Sequence, residues 1–220
     1  MTARKGVSAR KHQAILDAAA EEFKEFGFQG ANMDRAASRA EVSKRTVYND
    51  FASKEKLFES ITLKVWRQAQ AATELTYHPD QSIRSQLMTL AEQELALLQS
   101  ADYLRLTAVL VAEFARTPSL ADQAREWMTQ EESGARRWMG AAIAAGRLNT
   151  QDADRATAHF FNLIKGQAFW PQVVWHAPIP TDSERAQIAS DSVAIFLDHF
   201  GLDHLDRDSQ AQRSNRESPN

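Results

Sequence analysis

The chain contains no cysteine, which excludes disulfide bonds, thiolate metal ligands and cysteine nucleophiles. Glycine and proline are scarce, at 8 and 6 of 220 residues, so few positions force a helix to end. No apolar run reaches the roughly 18 residues that a membrane span requires, and no membrane partner is expected. The basic segment 1–11 has no apolar stretch behind it, unlike a secretory signal. We therefore expect a cytoplasmic protein.

Catalytic and metal-binding motifs are also missing. The sequence has no glycine-rich phosphate loop and no nucleophile elbow, which favours a non-enzymatic protein without a cofactor. His159 and His176 lack a second ligand at helical spacing, so no metal site is expected.

Charge is unevenly distributed, although the net charge is only -3. Residues 1–65 hold 12 Lys and Arg against 9 Asp and Glu, whereas the rest of the chain holds 14 against 20. A basic N-terminal piece on an acidic body suits a phosphate-binding head. It suits a solvated basic tail equally well, and charge alone does not separate the two.

Apolar residues recur at helical spacing almost throughout, and no alternation typical of strands persists. The sequence therefore predicts an all-α protein. Its nine helices are expected at about 9–26, 33–40, 44–50, 54–76, 81–99, 103–115, 118–145, 152–175 and 182–200. The predicted N-caps are Ser8, Asn32, Ser43, Ser53, Asp80, Thr150 and Thr181. Gly27 should end the first helix, Gly134 should interrupt the seventh and Pro171 should kink the eighth.

The stretch from Ser43 to Phe51 indicates a DNA-reading helix. It begins Ser-Lys-Arg-Thr, which places hydrogen-bond donors at the positive end of the helix dipole. A tight turn at Glu41 and Val42 joins this helix to the preceding short one. Two short helices joined in this way form a helix-turn-helix, and the first helix of the chain should pack across both.

Specific sequence text supports the same assignment. It comprises Ile15-Leu16-x-Ala18-Ala19, Phe23-x-x-x-Gly27-Phe28, Met33-Asp34, Ala37-x-x-Ala40-x-Val42-Ser43-Lys44-Arg45-Thr46-Val47-Tyr48 and Phe51-x-Ser53-Lys54-Glu55-x-Leu57-Phe58. With this text, residues 10–61 resemble the DNA-binding head of the TetR family of transcriptional regulators. Residues 104–175 resemble the C-terminal domain of AefR-like members. That resemblance rests on Val111-x-Glu113-x-x-Arg116-x-Pro118 and on Ala145-Gly146-Arg147-Leu148 followed by Asp152-x-Asp154.

The resemblance implies a nine-helix TetR-type architecture. A helix-turn-helix domain at 1–52, with a flexible arm at 1–8, would precede a ligand-binding and dimerisation domain at 53–202. The polar residues 203–220 are expected to form a disordered tail. The resemblance further implies a homodimer through the last two helices and a small-molecule pocket in each body. Ligand binding would change the spacing of the two heads and release operator DNA.

The same resemblance assigns roles in the head. Tyr48, Lys54 and the cap at Asn32 are expected to contact the DNA backbone. Arg45 is expected to bind guanine and Thr46 to touch a thymine methyl group. The full set of expected DNA-binding residues is Asn32, Ser43, Lys44, Arg45, Thr46, Tyr48, Asn49 and Lys54.

Three positions depart from the family pattern. Glu41 occupies a turn position usually filled by glycine, and a positive φ there would add about 1 kcal/mol of strain. Asp50 brings a negative charge close to the expected phosphates. Ala36 replaces a larger aliphatic residue in the core of the head.

The body is rich in aromatic residues, each of which suits core packing or a pocket wall. The expected ligand-binding residues are Tyr103, Phe114, Trp127, Trp138, His159, Phe161, Asn162 and Trp170. The stripe on the last helix would form a dimer interface, or it would close the core of the monomer. The expected interface residues are Phe169, Val173, Ile188, Val193, Phe196 and Phe200.

These patterns favour a homodimeric repressor, released from a palindromic double-stranded DNA operator by a small apolar or aromatic effector. Two alternatives remain open. One is a helical small-molecule-binding protein whose head has weak or no DNA binding. The other is an activator.

Overall fold

A computed structural model describes residues 2–130 and 133–202, and the tail predicted at 203–220 lies outside them. Among these residues no strand occurs, apart from an isolated bridge between Leu148 and Gly201. The all-α prediction is confirmed. The helices are α1 (Thr2–Gly30), α2 (Met33–Arg39), α3 (Lys44–Asp50), α4 (Lys54–Ala72), α5 (Ile83–Leu97), α6 (Ala101–Arg116), α7 (Pro118–Gln130), α8 (Gly134–Ala144), α9 (Ala153–Ala168), α10 (Trp170–Trp175) and α11 (Asp182–Phe200).

Two predicted helices are each divided in the structure. The helix predicted at 118–145 gives α7 and α8, because the side chain of Ser133 caps a new helix by accepting the N–H of Arg136 at 3.0 Å. The helix predicted at 152–175 gives α9 and α10. It breaks at Phe169, whose φ of -125° and ψ of -62° leave the helical region, and Pro171 lies in the first turn of α10.

Three predicted caps were wrong by a few residues. Helix α1 begins at Thr2, so Ser8 lies inside it, and the segment assigned to an arm is helical from residue 2. Helix α5 is capped by Ser82 rather than by Asp80, and α9 by Asp152 rather than by Thr150. In both corrections the true cap lies directly before the first helical residue, where its side chain reaches the free N–H groups.

Contacts divide the chain into two compact units. The first comprises Met1–Gln68 and Ala101–Glu131, and the second comprises Ala69–Ser100 and Glu132–Asn220. The boundary predicted at residue 52 lies inside the first unit. In that unit α1 packs against α2 and α6, α2 packs against α3, and α6 packs against α7. Buried apolar side chains of α1, α3 and α4 share one core with those of α2, α6 and α7.

The first helix bends at Gly27, where the sequence predicted an end. Gly27 has a φ of +66° and non-helical geometry, which a residue with a Cβ adopts only under strain. The bend turns Phe28 back into the core, where its ring centroid lies 4.9 Å from that of Phe58. The position of α2 and α3 on α1 therefore depends on this glycine.

In the second unit α11 packs against α5 and α9, and α9 also contacts α8 and α10. Trp138, Phe160 and Phe196 are almost fully buried there. The indole N–H of Trp138 donates to Gln86 Oε1 at 3.2 Å, and the amide of Gln86 donates to the carbonyl of His78 at 2.8 Å. This buried amide ties α8 to the segment that precedes α5.

The predicted capping box at the start of α11 is confirmed. Thr181 accepts the N–H of Glu184, and the Glu184 carboxylate accepts the N–H of Thr181 at 2.7 Å. This backbone hydrogen bond lowers the pKa of Glu184.

Within the described residues, no single helix has the length and apolarity needed to cross a membrane. Helices α5 and α6 meet that criterion only when they are taken together as one bent pair.

Candidate nucleic-acid interface

Helices α2 and α3 form the predicted helix-turn-helix. The turn is closed by the N–H of Val42, which donates to the carbonyl of Ala37 at 3.1 Å. Glu41 has a φ of +54° in this turn, as its place in the family pattern indicated. Val47 and Phe51 are buried, and they anchor α3 to the core of the first unit. The geometry of the motif therefore follows from two buried apolar contacts and one strained turn residue.

The other side of α3 is exposed to solvent. Lys44, Arg45, Tyr48 and Asn49 all lie on this face, and Tyr48 is 51% exposed. Their side chains are those that bind base edges and phosphates, and they lie on one face because Val47 points inward. The predicted contact residues of α3 are thus brought together.

Ser43 and Thr46 act first as a helix cap. The Ser43 hydroxyl accepts the N–H of Thr46 at 3.1 Å and lies 2.8 Å from the Thr46 hydroxyl. Thr46 is half-buried, and its hydroxyl is engaged with Ser43 in the N-terminal turn of α3.

The two cations of α3 differ in their partners. Lys44 Nζ lies 2.6 Å from Asp34 Oδ2 of α2, and this hydrogen bond raises the pKa of Lys44. Arg45 is exposed and makes no hydrogen bond or ion pair with any part of the described chain. Its guanidinium is therefore available without the loss of an internal contact.

Asn32 and Lys54 border the motif. The Asn32 side chain accepts the N–H of Asp34 at 2.7 Å, which confirms it as the cap of α2. The Lys54 ammonium donates to the carbonyls of Gln29 and Ala31 at 3.2 and 3.4 Å. It therefore binds carbonyls at the C-terminal end of α1 and just beyond it, an internal role that was not predicted from the sequence.

A buried carboxylate that was not among the predicted residues holds the motif to α1. Glu22 is 1% exposed, and its Oε1 accepts the guanidinium of Arg35 and the backbone N–H of Asn32, at 2.6 and 3.1 Å. A signal was present, because Glu22 follows Ile15 by seven residues and so falls on the inward face of α1. Glu22 therefore fixes the start of α2 to α1 through these two hydrogen bonds.

Asp50, the acid near the expected phosphates, has a neighbour from another helix. The carboxylate Oδ2 lies 3.6 Å from Nδ1 of His12 on α1. The imidazole also stacks on Phe51, with ring centroids 5.0 Å apart.

The residues predicted to line a ligand pocket have different surroundings. Tyr103 and Phe114 are half-buried and pack on the core of the first unit. The side chain of Trp127 lies outside the described residues. In the second unit Trp138 is a core residue with its N–H satisfied, whereas His159 and Asn162 lie on the exposed side of α9.

The remaining two residues of that predicted set are also spread out. Phe161 is half-buried on α9, and Trp170 is 44% exposed. The predicted residues of the second unit therefore have unlike surroundings: Trp138 of α8 is buried, Phe161 of α9 is half-buried, and the other three are exposed. Within the same unit a groove of about 410 Å³ is lined by Gln167, Pro171, Gln172, Ala177, Pro178, Pro180, Glu184, Gln187 and Ile188.

The residues of the predicted dimer stripe are mostly buried within the second unit of the single chain. Buried members of the stripe are Phe169, Ile188, Val193, Phe196 and Phe200, and Val173 is half-buried. The alternative explanation of the stripe, closure of the monomer core, is the one that these positions support. The outward apolar residues of α10 and α11 are Trp170, Val174, Trp175 and Ile195, at 44%, 49%, 77% and 52% exposure.

No group of three or more histidine, aspartate or glutamate side chains suited to a metal ion occurs among the residues described.

Comparison with known proteins supports the assignment of both parts of the chain. The model described as bacterial regulatory proteins, tetR family, matches residues 15–61. The model described as AefR-like transcriptional repressor, C-terminal domain, matches residues 85–202, which is more than half of the chain.

Individual proteins similar to this chain are also transcriptional regulators. A TetR family transcriptional regulator from Pseudomonas syringae pv. tomato str. DC3000 is 35% identical, with a TM-score of 0.74 over 86% of this chain and 96% of that one. The flavonoid-responsive regulator FrrA is 25% identical, with a TM-score of 0.69 over 88% of this chain and 98% of its own. The uncharacterized HTH-type transcriptional regulator YhgD of Bacillus subtilis is 40% identical over 55 residues, which span 25% of this chain and 29% of that protein.

Three observations indicate the same family. The structure has a helix-turn-helix with an exposed basic face, a family model matches each part of the chain, and a relative of 35% identity aligns along nearly its whole length. The chain belongs to the TetR family of DNA-binding transcriptional regulators, a family of regulators rather than of enzymes, and carries an AefR-like C-terminal domain.

Proposed function

We propose that this protein is a homodimeric repressor that binds a palindromic operator and is released by a small apolar or aromatic effector. The observation that carries the proposal is the outward face of α3, where Arg45 is exposed and has no internal partner in the described chain. An arginine in that position binds the O6 and N7 atoms of guanine without first breaking an ion pair.

The proposed DNA contacts fall into two groups. Arg45, Asn49 and Lys44 reach base edges in the major groove, and Lys44 exchanges Asp34 for a DNA acceptor. Tyr48 and Asn32 contact phosphates and thereby set the register of the head. Lys54 contributes positive potential while its ammonium stays on the carbonyls of α1.

One head makes few contacts, so a useful operator requires two. Two heads related by a twofold axis read half-sites about 34–36 Å apart, or a multiple of that distance. The proposed dimer face uses the exposed apolar side chains of α10, which are Trp170, Val174 and Trp175, together with Ile195 of α11. Large exposed apolar side chains mark interaction sites, and a twofold interface uses the same surface of both copies.

The direction of regulation and the effector class are inferred from relatives. The C-terminal match is to a domain described as that of a repressor, and FrrA is described as flavonoid-responsive. These descriptions support repression and an aromatic effector for this chain. Such an effector releases DNA only if it binds the DNA-incompetent arrangement more tightly.

The decisive experiment measures binding to a duplex taken from the region upstream of the protein's own gene. Arg45→Ala should cost about 1–3 kcal/mol and relax the preference for one base pair. Arg125→Ala is the matched control, since Arg125 is an exposed arginine that pairs with Asp122 on α7. Equal affinity of Arg45→Ala and wild type would contradict the contact assignment.

Two further outcomes separate the alternatives. Wild-type affinity that does not fall with salt would contradict phosphate binding and favour a helical small-molecule-binding protein. Transcription from the bound promoter that rises when the protein is added would identify an activator. Release of the duplex by a flavonoid or a simpler aromatic compound would support the effector class.

A further inference from the structure

Asp50 and His12 form a contact between the end of the recognition helix and α1. Asp50 is the last residue of α3, and its carboxylate lies 3.6 Å from His12 Nδ1. The side chains of Asp50 and His12 are 29% and 47% exposed, so both remain open to solvent.

The ring of His12 stacks on a buried phenylalanine. The interplanar angle between His12 and Phe51 is 25°, and Phe51 is 3% exposed. The N–H of Phe51 donates to the carbonyl of Val47 at 2.8 Å, which closes the last turn of α3. The imidazole of α1 therefore lies against the C-terminal end of the recognition helix.

Asp50 is unfavourable for DNA binding, because a carboxylate near phosphates repels them. It also lies at the negative end of the helix dipole, which disfavours the charged carboxylate in the free protein as well. A positive charge on His12 offsets the repulsion of the phosphates. Histidine is the side chain whose charge ordinarily changes between pH 5 and 8.

The other charged groups on the surrounding elements do not replace this pairing. Arg10 and Lys11 are exposed residues on α1, and Asp17 pairs with Lys64. At the start of α4 the Lys54 ammonium is bound to backbone carbonyls.

Glu55 and the remaining histidines are accounted for as well. A hydrogen bond from Ser53 lowers the pKa of Glu55, so this carboxylate is engaged locally. In the sequence, His12 is the only histidine within residues 1–68 and 101–131. A histidine effect that arises in the first unit can therefore come from one residue.

We propose that operator binding by this head takes up a proton at His12, with His12 acting as a positioning and charge-neutralising residue for Asp50. The inference rests on the proposed DNA binding. Phosphates near α3 favour the charged imidazole, and by linkage the charged imidazole favours the phosphates. Affinity for DNA should therefore rise as the pH falls through the range in which histidine becomes charged.

The test measures the dissociation constant of the upstream duplex between pH 8 and pH 6 at constant salt. Wild type should bind at least about threefold more tightly at pH 6 than at pH 8. The upper limit for one coupled proton is a tenfold change in affinity per pH unit. His12→Phe keeps the aromatic stack and should lose this dependence. Asp50→Asn should bind more tightly than wild type at pH 8 and respond less to pH.

Each other outcome decides a different question. A slope that persists in His12→Phe would place the proton elsewhere and overturn the inference, as would a flat wild-type profile. Tight binding by Asp50→Asn that keeps the full slope would also overturn it. If wild type does not bind the duplex at any pH, the proposed function itself fails. Thermal unfolding of each variant checks that the head is folded, and Asp50→Asn gives an answer even if His12→Phe does not fold.

Discussion

Glu113 of α6 accepts a hydrogen bond from the side chain of Gln29, with 3.2 Å between Oε1 and Nε2. The same carboxylate oxygen accepts the hydroxyl of Thr117 at 2.8 Å, and Glu113 is 3% exposed. The carbonyl of Gln29 in turn accepts the ammonium of Lys54. The short segment that precedes α2 is therefore held from α6 on one side and from α4 on the other.

Removal of the Gln29 side chain should weaken the first unit. Gln29→Ala leaves a buried carboxylate with one donor fewer, which costs about 1–2 kcal/mol of the free energy of unfolding. Chemical unfolding measures the change, and the exposed Gln123→Ala on α7 is the matched control, expected within about 0.5 kcal/mol of wild type. A double-mutant cycle with Thr117→Val should show coupling, because both donors bind one oxygen. Equal stability of Gln29→Ala and Gln123→Ala would contradict the role given to this contact.

Relief of the strained turn should stabilise the helix-turn-helix. Glu41 has a φ of +54°, a conformation that costs a side-chain-bearing residue about 1–2 kcal/mol. Glu41→Gly removes this strain, while the more flexible unfolded chain offsets part of the gain, so a net stabilisation of about 0.5 kcal/mol is expected.

Glu41→Ala separates the backbone effect from the effect of charge, since both variants lose the carboxylate and only glycine relaxes the turn. The free energy of unfolding should be higher for the glycine variant than for the alanine variant. The reverse order would show that the positive φ carries no strain.

Much of the head was predictable because its determinants are local. Asn32 and Ser43 each cap a helix through an N–H two or three residues further along the chain, so the sequence pattern specifies them directly. The bend at Gly27 and the strained residue at Glu41 are equally local, since each depends on one backbone conformation.

The contacts between distant residues were not predictable in the same way. Glu22 carried a periodicity signal, but nothing near His12 in the sequence indicates that it faces Asp50. The apolar stripe of α11 is an example of a contact that the sequence leaves open. Its helical periodicity indicates that one face of the helix is covered, but does not indicate which part of the protein covers it. In the structure α5 and α9 of the same chain cover that face.

The two faces of α11 should respond differently to substitution. Phe196 is 1% exposed and lies in the core, so Phe196→Ala should lower the free energy of unfolding by about 3–5 kcal/mol. Ile195 directly precedes Phe196 and is 52% exposed, so Ile195→Asp should leave the fold of a single copy nearly unchanged. If the outward face of α10 and α11 forms the dimer, the aspartate places two desolvated charges near the twofold axis and should dissociate it.

Sedimentation at micromolar concentration, together with the unfolding curve, distinguishes these effects. Wild type should sediment as a dimer and Ile195→Asp as a folded monomer with reduced affinity for a two-half-site duplex. Phe26→Asp is the matched control for sedimentation, because Phe26 is an apolar residue of the first unit with a similar exposure of 44%. A dimeric Ile195→Asp would place the interface on another surface, and a monomeric wild type would contradict the proposed homodimer itself.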